Sequence, residues 1–206
     1  LVVINGSPYE RNKDDTRLDL CSRRAGEAGM PLAYANLVGG QDELVFDGDS
    51  LVVDRDGEVL ARAPQFAPSV LYVDLPPGQG TARDIAPRLD DVAEVYAALV
   101  CGLGDYVRKN GFSSVVIGLS GGIDSALTAA IAVDALGAES VFGVGMPSAY
   151  SSQHSRDDAK DLGARTGLSF REVPIAPIVE SFLGQLHLTG LAEENLQARV
   201  RGTTLM

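Results

Sequence analysis

The first 75 residues combine one amphipathic helix with several short strands. Leu1 to Ile4 is an apolar run, which is typical of the end of a buried strand. Apolar residues recur on one helical face from Asp14 to Ala28, and Gly29 is placed to end that helix. Asp56-Gly57 predicts a hairpin turn. Strands are predicted at residues 32–37, 43–46, 50–54, 58–62 and 69–75.

The pattern changes after residue 90, where helices and strands alternate. Asp91 to Lys109 predicts a helix whose apolar face contains Val92, Val95, Leu99, Leu103 and Tyr106. Strands are predicted at residues 115–119, 141–146 and 168–173, and helices at 124–136, 153–166, near 178 and from 191 onward. This alternation favours an α/β fold with a parallel sheet and helices on both faces.

The two patterns meet at a stretch rich in proline and glycine, Pro76 to Gly80. We therefore predict a first domain over residues 1–75, a linker over 76–89 and a second domain over 90–206. Because the sequence starts inside an apolar run at Leu1 and stops abruptly at Met206, we interpret it as an internal fragment of a longer protein.

Composition and charge narrow the classes of partner. The formal net charge is −11, which argues against nucleic acid as a partner, since the phosphate backbone is bound by basic surfaces. No run reaches the roughly 20 apolar residues needed to cross a bilayer, and no signal peptide is recognisable. Cys21 and Cys101 do not form a disulfide framework. These features favour a cytoplasmic protein without a membrane partner.

The clearest chemical motif lies between a predicted strand and a predicted helix. It consists of Gly118, Leu119, Ser120, Gly121, Gly122, Ile123, Asp124 and Ser125. At such a turn, unpaired backbone N–H groups and the helix dipole both favour bound phosphate. The spacing fits neither a Walker A loop nor a dinucleotide fingerprint. The alternative is an ordinary glycine-rich turn with Asp124 as a helix cap.

Asp124 has a physical reason to lie beside phosphate only if a cation separates the two negative charges. We therefore predict Asp124 as a ligand of Mg²⁺ and predict Mg²⁺ as a cofactor of this site. The two histidines, His154 and His187, have no metal-ligand spacing.

The sequence Ser-Gly-Gly-Ile-Asp-Ser at residues 120–125 resembles the pyrophosphate loop of the ATP pyrophosphatase superfamily. Two further stretches, Gly145 to Ser152 and Glu194 to Gly202, resemble the synthetase domain of the glutamine-dependent NAD⁺ synthetases. The resemblance covers roughly residues 90–206 and implies a doubly wound parallel-sheet domain that binds ATP. It also implies that Asn195 and Arg199 contact deamido-NAD⁺. The alternative is a surface helix in which Glu193 or Glu194 pairs with Arg199.

Residues 1–74 resemble the second half of a nitrilase-type amidohydrolase domain, which implies part of an α-β-β-α sandwich. In that family a Cys nucleophile, with a Glu and a Lys, releases ammonia from glutamine. The match implies that Ser7 and Lys13 bind glutamine, although Lys13 is also explained as one more solvated lysine. The nucleophile and its Glu and Lys partners are expected outside this chain, since Cys21 lies on the apolar face of a predicted helix and Cys101 is interpreted as helix packing.

The resemblance implies a carbon–nitrogen ligase that adenylates deamido-NAD⁺ with ATP and then amidates it with ammonia from glutamine. It also implies a homo-oligomer in the full-length protein. Two alternatives stay open at the level of sequence. One is another glutamine-dependent synthetase with the same loop, such as a GMP or asparagine synthetase, and the other is a module that binds ATP without turnover.

Overall fold

The structure, a computed structural model, describes residues 1–75 and 84–206. It divides into two compact units, Leu1–Lys109 and Asn110–Met206, called here the first and the second unit. Most of the predicted linker over 76–89 lies outside the described residues. The helix after it, Asp91–Lys109, belongs to the first unit.

The first unit contains six strands and two helices among its described residues. They are β1 Val2–Asn5, α1 Lys13–Ala28, β2 Leu32–Asn36, β3 Val38–Gln41, β4 Leu44–Asp47, β5 Leu51–Val53, β6 Val59–Arg62 and α2 Asp91–Lys109. One sheet has the order β1-β2-β5-β6, in which only the β1–β2 pair is parallel. β3 and β4 form a separate antiparallel hairpin. This mixture of α-helices and sheets agrees with the predicted fold class.

Two apolar layers hold the larger sheet of the first unit. α1 packs on one face, where the buried cluster includes Cys21, Ala25, Leu32, Tyr34, Leu51 and Val53. A second cluster contains Val52, which alternates along β5 with Leu51 and Val53 of the first cluster, together with Leu60 and Ala61. Leu71 and Val73 pack against this second cluster. Gly29 ends α1 in the left-handed conformation at φ 64°, as predicted.

Two strand predictions in this unit are wrong. β1 is exposed rather than buried, with Ile4 87% accessible, because the strand lies at the edge of the sheet and has only β2 beside it among the described residues. No strand forms over 69–75. Leu71 and Val73 pack on the sheet face through their side chains. Alternating apolar residues explain this packing, but they do not ensure that the backbone pairs with a neighbouring strand.

β3 was not predicted, because Gly39 and Gly40 weaken a strand pattern. Their lack of side chains allows α2 to approach the hairpin closely: a Cβ at Gly40 would lie 3.1 Å from the backbone of Gly102. Asp105 of α2 accepts a hydrogen bond of 2.8 Å from the N–H of Gly40. The contact between α2 and β3 is therefore made by glycines and a hydrogen bond, and not by large apolar side chains.

The range of α2 agrees with the prediction, but its predicted buried face is wrong. Val92 is 77% exposed, and Val95, Leu99 and Tyr106 are exposed as well. The buried residues of the helix are Glu94, Ala98, Gly104 and Val107. Gly102 of α2 faces the β3–β4 hairpin, where a Cβ on it would lie 2.9 Å from the side chain of Val45.

The second unit is a parallel α/β layer. Its elements are β7 Val115–Leu119, α3 Ile123–Leu136, a 3₁₀ turn Ala138–Ser140, β8 Val141–Gly145, α4 Gln153–Thr166, β9 Ser169–Glu172, α5 Ala176–Leu186 and α6 Leu191–Leu205. The strands lie in the order β7-β8-β9. Both pairs are parallel, as predicted. None of the helices in the described part of the chain combines the length and the hydropathy needed to span a bilayer.

Helices lie on both faces of the β7–β9 sheet. On one face, a Cβ at Gly163 of α4 would lie 2.8 Å from Phe170 of β9, so the helix and the strand pack tightly. On the other face, Leu205 of α6 lies against Gly118 of β7. α5 and α6 pack on each other around Ile175, Val179 and Val200.

The first unit also buries a cluster of charged side chains. Arg17 of α1 donates two hydrogen bonds to Asp47, at 2.8 and 3.0 Å. Asp49, fully buried, lies 3.6 Å from Arg17 and 3.5 Å from Arg62, and neither of its carboxylate oxygens accepts a hydrogen bond from the described residues. Burial is the main reason that the pKa of Asp49 rises to about 6, although Arg62 and Arg17 oppose the rise.

This pKa predicts a pH-dependent stability. Because folding raises the pKa of Asp49 from 3.8, its contribution to the free energy of unfolding is fully present below about pH 4 and is lost as the pH rises through about 6. Asp49→Asn keeps a neutral side chain at every pH. We expect the stability of the parent chain relative to Asp49→Asn to fall by roughly 2.5 kcal/mol between pH 4 and 7.

The measurement is urea unfolding followed by tyrosine fluorescence, which reports mainly on the first unit because five of the six tyrosines lie there and the chain has no tryptophan. Asp19→Asn, at an exposed position of the same helix as Arg17, is the control. A difference between the parent chain and Asp49→Asn that stays constant with pH would contradict the prediction.

Candidate functional site

The predicted phosphate loop follows β7 directly. Gly122 is the N-cap of α3, which begins at Ile123, and no side chain caps this helix end. Ile123 and Asp124 lie in the first turn of α3, where backbone N–H groups have no partner within the helix. Free N–H groups at the positive end of a helix dipole form an anion site. The alternative of Asp124 as the helix cap does not fit, because Asp124 is the second residue inside the helix.

The two loop serines hold the loop itself. The Ser125 hydroxyl donates to the carbonyl of Gly122 at 3.0 Å and accepts from the N–H of Ser120 at 3.2 Å. The Ser120 hydroxyl accepts from the N–H of Gly122 at 3.1 Å. The bend is therefore held together by its own side chains.

Gly121 brings the loop against α4. Its φ is +81°, which is a conformation that favours glycine, and a Cβ there would lie 2.1 Å from the carbonyl oxygen of Ser155. The backbone of the loop thus touches the backbone of the first turn of α4. Only glycine fits this position, for both conformational and steric reasons.

A cleft of about 310 Å³ lies beside the loop, at the carboxyl ends of the three parallel strands. This is where open α/β sheets bind their ligands. Its polar lining includes Ser120, Ser151, Ser155, Arg156, Glu172 and Arg201, and its apolar lining includes Met146, Pro147 and Phe170. The cleft has the mixed lining expected of a nucleotide site, with apolar surface for a base and polar groups around it.

Arg156 and Glu172 form an ion pair on the wall of the cleft. The Arg156 guanidinium donates two hydrogen bonds to Glu172, at 3.2 and 2.6 Å. These bonds raise the pKa of Arg156, so the guanidinium stays charged. Nothing in the sequence singled out this pair, because the partners lie 16 residues apart on α4 and β9.

Asp124 is exposed on the first turn of α3, two residues after the N-cap Gly122. Among the described residues, no cluster of three or more His, Cys, Asp or Glu side chains could hold a metal by itself. A magnesium ion fits Asp124 only together with phosphate and water oxygens, and this is how Mg²⁺ is commonly bound in nucleotide sites.

α6 contains the two residues expected to bind deamido-NAD⁺. Asn195 and Arg199 are exposed, one helical turn apart, and neither lines the cleft. Arg199 forms no ion pair within the described chain, and Glu193 instead accepts a hydrogen bond from Tyr150. Arg201 does line the cleft. The sequence motif contains this residue too, but side-chain direction on the helix decided which arginine reaches the cleft.

The residues expected to bind glutamine lie in the first unit. The Ser7 N–H donates to the amide oxygen of Asn36 at 2.8 Å, and Ser7 itself is half-buried. Lys13 is the first residue of α1. Its ammonium donates to Glu10 at 2.9 Å and to the carbonyl of Pro8 at 3.1 Å, so Lys13 is held near the loop of Ser7 rather than extended into solvent.

Neither cysteine is placed to act as a nucleophile. Cys21 is buried in the apolar layer under α1, and burial raises the pKa of its thiol. Cys101 is half-buried on α2, and burial together with the nearby Asp105 raises its pKa as well. Both thiols therefore stay protonated at neutral pH.

Comparisons with known proteins match both halves of the chain to known families. The family model described as NAD synthase matches residues 95–206, and the one described as carbon-nitrogen hydrolase matches residues 1–83. The glutamine-dependent NAD(+) synthetase of Rhodobacter capsulatus is 49% identical over 217 residues, and that of Acinetobacter baylyi is 45% identical over 214. Each alignment covers the whole chain but only 39% and 40% of the relative, respectively.

Solved structures give the same result. A glutamine-dependent NAD+ synthetase from Acinetobacter baumannii, in complex with ADP, superposes with a TM-score of 0.90 at 44% identity. The superposition covers 100% of this chain and 41% of the Acinetobacter baumannii chain. The chain thus spans about 40% of the length of the relatives that it matches. Because the NAD synthase model matches more than half of its residues, the chain belongs to the NAD synthase family.

Proposed function

We propose that this chain is part of a glutamine-dependent NAD⁺ synthetase. Such an enzyme uses ATP to convert the carboxylate of deamido-NAD⁺ into an acyl-adenylate with release of pyrophosphate. Ammonia from glutamine then attacks the acyl carbon, which gives NAD⁺ and AMP. The observation that carries the proposal is the Ser-Gly-Gly-Ile-Asp-Ser loop at residues 120–125, open toward solvent at the uncapped start of α3.

In this proposal the loop from Gly118 to Ser125 holds the phosphates of ATP. The N–H groups at the start of α3 face the phosphate oxygens, and the helix dipole adds to their attraction. The neighbouring cleft of about 310 Å³ receives the rest of the nucleotide. The ADP complex of the Acinetobacter baumannii enzyme supports a nucleotide site in this fold.

Asp124 would hold Mg²⁺ through its exposed carboxylate. When bound, the ion supplies positive charge that offsets the repulsion between an anionic carboxylate and the α-phosphate. The chain itself contributes fixed N–H donors in a loop that is already ordered, so little reorganisation is needed as charge develops.

Deamido-NAD⁺ is proposed to bind along α6. Asn195 offers both a donor and an acceptor, and Arg199 offers a charge without an ion-pair partner among the described residues. Arg201, on the wall of the cleft, is a further candidate for a phosphate or carboxylate contact. The substrate would then run from the exposed face of α6 to the cleft.

Ser7 and Lys13 are proposed to bind the amino-acid end of glutamine. A hydroxyl and an ammonium are suited to its α-amino and α-carboxylate groups, respectively. With both thiols of the chain protonated and buried or half-buried, we propose that the nucleophile, with its Glu and Lys partners, is supplied by residues other than those of this chain. The match of residues 1–83 to carbon-nitrogen hydrolases favours this function over GMP or asparagine synthetases, whose amidotransferase domains are of other kinds.

We also propose the domain division 1–75, 76–89 and 90–206, a cytoplasmic location and a homo-oligomeric full-length enzyme. Two unpaired cysteines fit a reducing compartment. The exposed apolar residues Val92, Val95 and Leu99 of α2 offer surface that association would bury.

The close contact at Gly121 predicts the effect of a single methyl group. Gly121→Ala would force the loop away from α4, because its Cβ would overlap the carbonyl of Ser155. We expect the Kd for Mg-ATP, measured by isothermal titration calorimetry on the full-length enzyme, to rise at least roughly tenfold. Gly111→Ala is the matched control: φ is +74° there and no atom lies within 4 Å of the new Cβ, so it tests strain alone. Equal Kd values for the two variants would contradict the assignment.

Asp124→Asn tests the proposed magnesium ligand. Loss of one anionic ligand should lower kcat for AMP formation roughly 100-fold with ammonia as nitrogen donor, and should raise the Mg²⁺ concentration needed for half-maximal rate. Asp161→Asn, on an exposed face of α4 where Asp161 pairs only with Arg165, is the control. If Asp124→Asn keeps the parent's magnesium dependence, Asp124 is not a ligand.

Ser7→Ala separates glutamine use from ammonia use. Removing one hydrogen bond to a charged group should raise KM for glutamine roughly tenfold in the full-length enzyme, while kcat/KM with ammonia stays unchanged. Ser22→Ala, which removes a hydroxyl bonded only to the carbonyl of Gly57, is the control. An unchanged KM for glutamine would refute a role for Ser7, and a loss with ammonia as well would point to general damage.

A further inference from the structure

The side chain of Asn36, at the end of β2, clamps the backbone of Ser7. Its amide oxygen accepts from the Ser7 N–H at 2.8 Å, and its amide nitrogen donates to the Ser7 carbonyl at 3.3 Å. Two bonds to the same residue fix the orientation of the peptide groups on both sides of Ser7. The direction in which the Cα–Cβ bond of Ser7 leaves the backbone is thereby fixed as well.

Asp47 fixes the orientation of the Asn36 amide. The Asn36 amide nitrogen also donates to a carboxylate oxygen of Asp47, at 3.1 Å. A flipped amide would turn an oxygen toward the carboxylate and an N–H₂ toward the N–H of Ser7, which would lose both bonds. Only one orientation of Asn36 satisfies all of its neighbours.

Asp47 is in turn fixed by Arg17. The two hydrogen bonds of 2.8 and 3.0 Å hold the carboxylate and guanidinium in one plane, and the side chains are only 2% and 4% exposed. Buried ion pairs contribute little net stability, because desolvation offsets their attraction. The geometry that a forked pair imposes is a better reason for placing one here.

Arg17 lies on α1 one helical turn after Lys13, the other residue proposed to bind glutamine. The chain of contacts from Ser7 through Asn36, Asp47 and Arg17 therefore ends on the helix that carries Lys13. Ser7 and Lys13 would bind the two charged groups on the α-carbon of one small molecule, so their separation has to be fixed. The loop between them, residues 6–12, contains no helix or strand that would fix it.

We propose that Asn36, Asp47 and Arg17 are positioning residues for glutamine, which hold the hydroxyl of Ser7 at a set distance from Lys13. This inference rests on the proposed glutamine site. It assigns no contact with glutamine to the three residues themselves: they act through Ser7.

A double-mutant cycle in the full-length enzyme tests this role, with KM for glutamine and kcat/KM for ammonia as readouts. Asn36→Ala should raise KM for glutamine roughly tenfold in the parent and less than about twofold in the Ser7→Ala background, because Asn36 acts through the hydroxyl that is already missing. Activity with ammonia should not change. Gln41→Ala, which removes an exposed amide bonded only to Asp42, is the control.

Arg17→Lys provides a second variant if Asn36→Ala does not fold. It keeps the positive charge beside Asp47 but loses the forked geometry. The same non-additivity with Ser7→Ala is expected, at roughly threefold in the parent. Effects that add in the Ser7→Ala background, or losses that extend to ammonia, would overturn the positioning role. If Ser7→Ala alone leaves KM for glutamine unchanged, the proposed glutamine site fails instead.

Discussion

The backbone contact between Gly121 and Ser155 is the constraint on which the proposed nucleotide site depends. It sets the loop after β7 against the first turn of α4, and so it determines where the free N–H groups at the start of α3 point. The serine hydroxyls then hold the bend from within. The cleft of about 310 Å³ lies beside this bend.

The first unit relies on a different device. Its loop around Ser7 has no regular structure, and a buried network of side chains from α1, β2 and β4 supports it. Close by, Asp49 is buried between Arg17 and Arg62 without a hydrogen bond from the described residues. This core therefore contains a carboxyl group that the network around Ser7 does not use. Such networks are costly in free energy but specify geometry well.

Both units use glycine where two elements approach closely. Gly40 admits Gly102 and Asp105 of α2, and Gly163 admits Phe170 of β9. In the first case the result reversed an expectation: most of the apolar side of α2 is exposed, and Glu94, Ala98, Gly104 and Val107 are buried instead. Hydrophobic periodicity predicts the helix correctly. It predicts which face is buried only when the helix packs against an apolar surface.

The sequence by itself determined most elements, the parallel character of the second sheet and the position of the loop after β7, because these depend on local patterns: apolar runs, turn residues and a six-residue motif. Tertiary structure alone decided that β1 is an edge, that residues 69–75 pack without pairing, and that Arg201 rather than Arg199 reaches the cleft. It also brought together Arg156 with Glu172, and Arg17 with Asp47. These contacts join residues far apart in the chain, and their formation depends on how the elements pack, which no local pattern encodes.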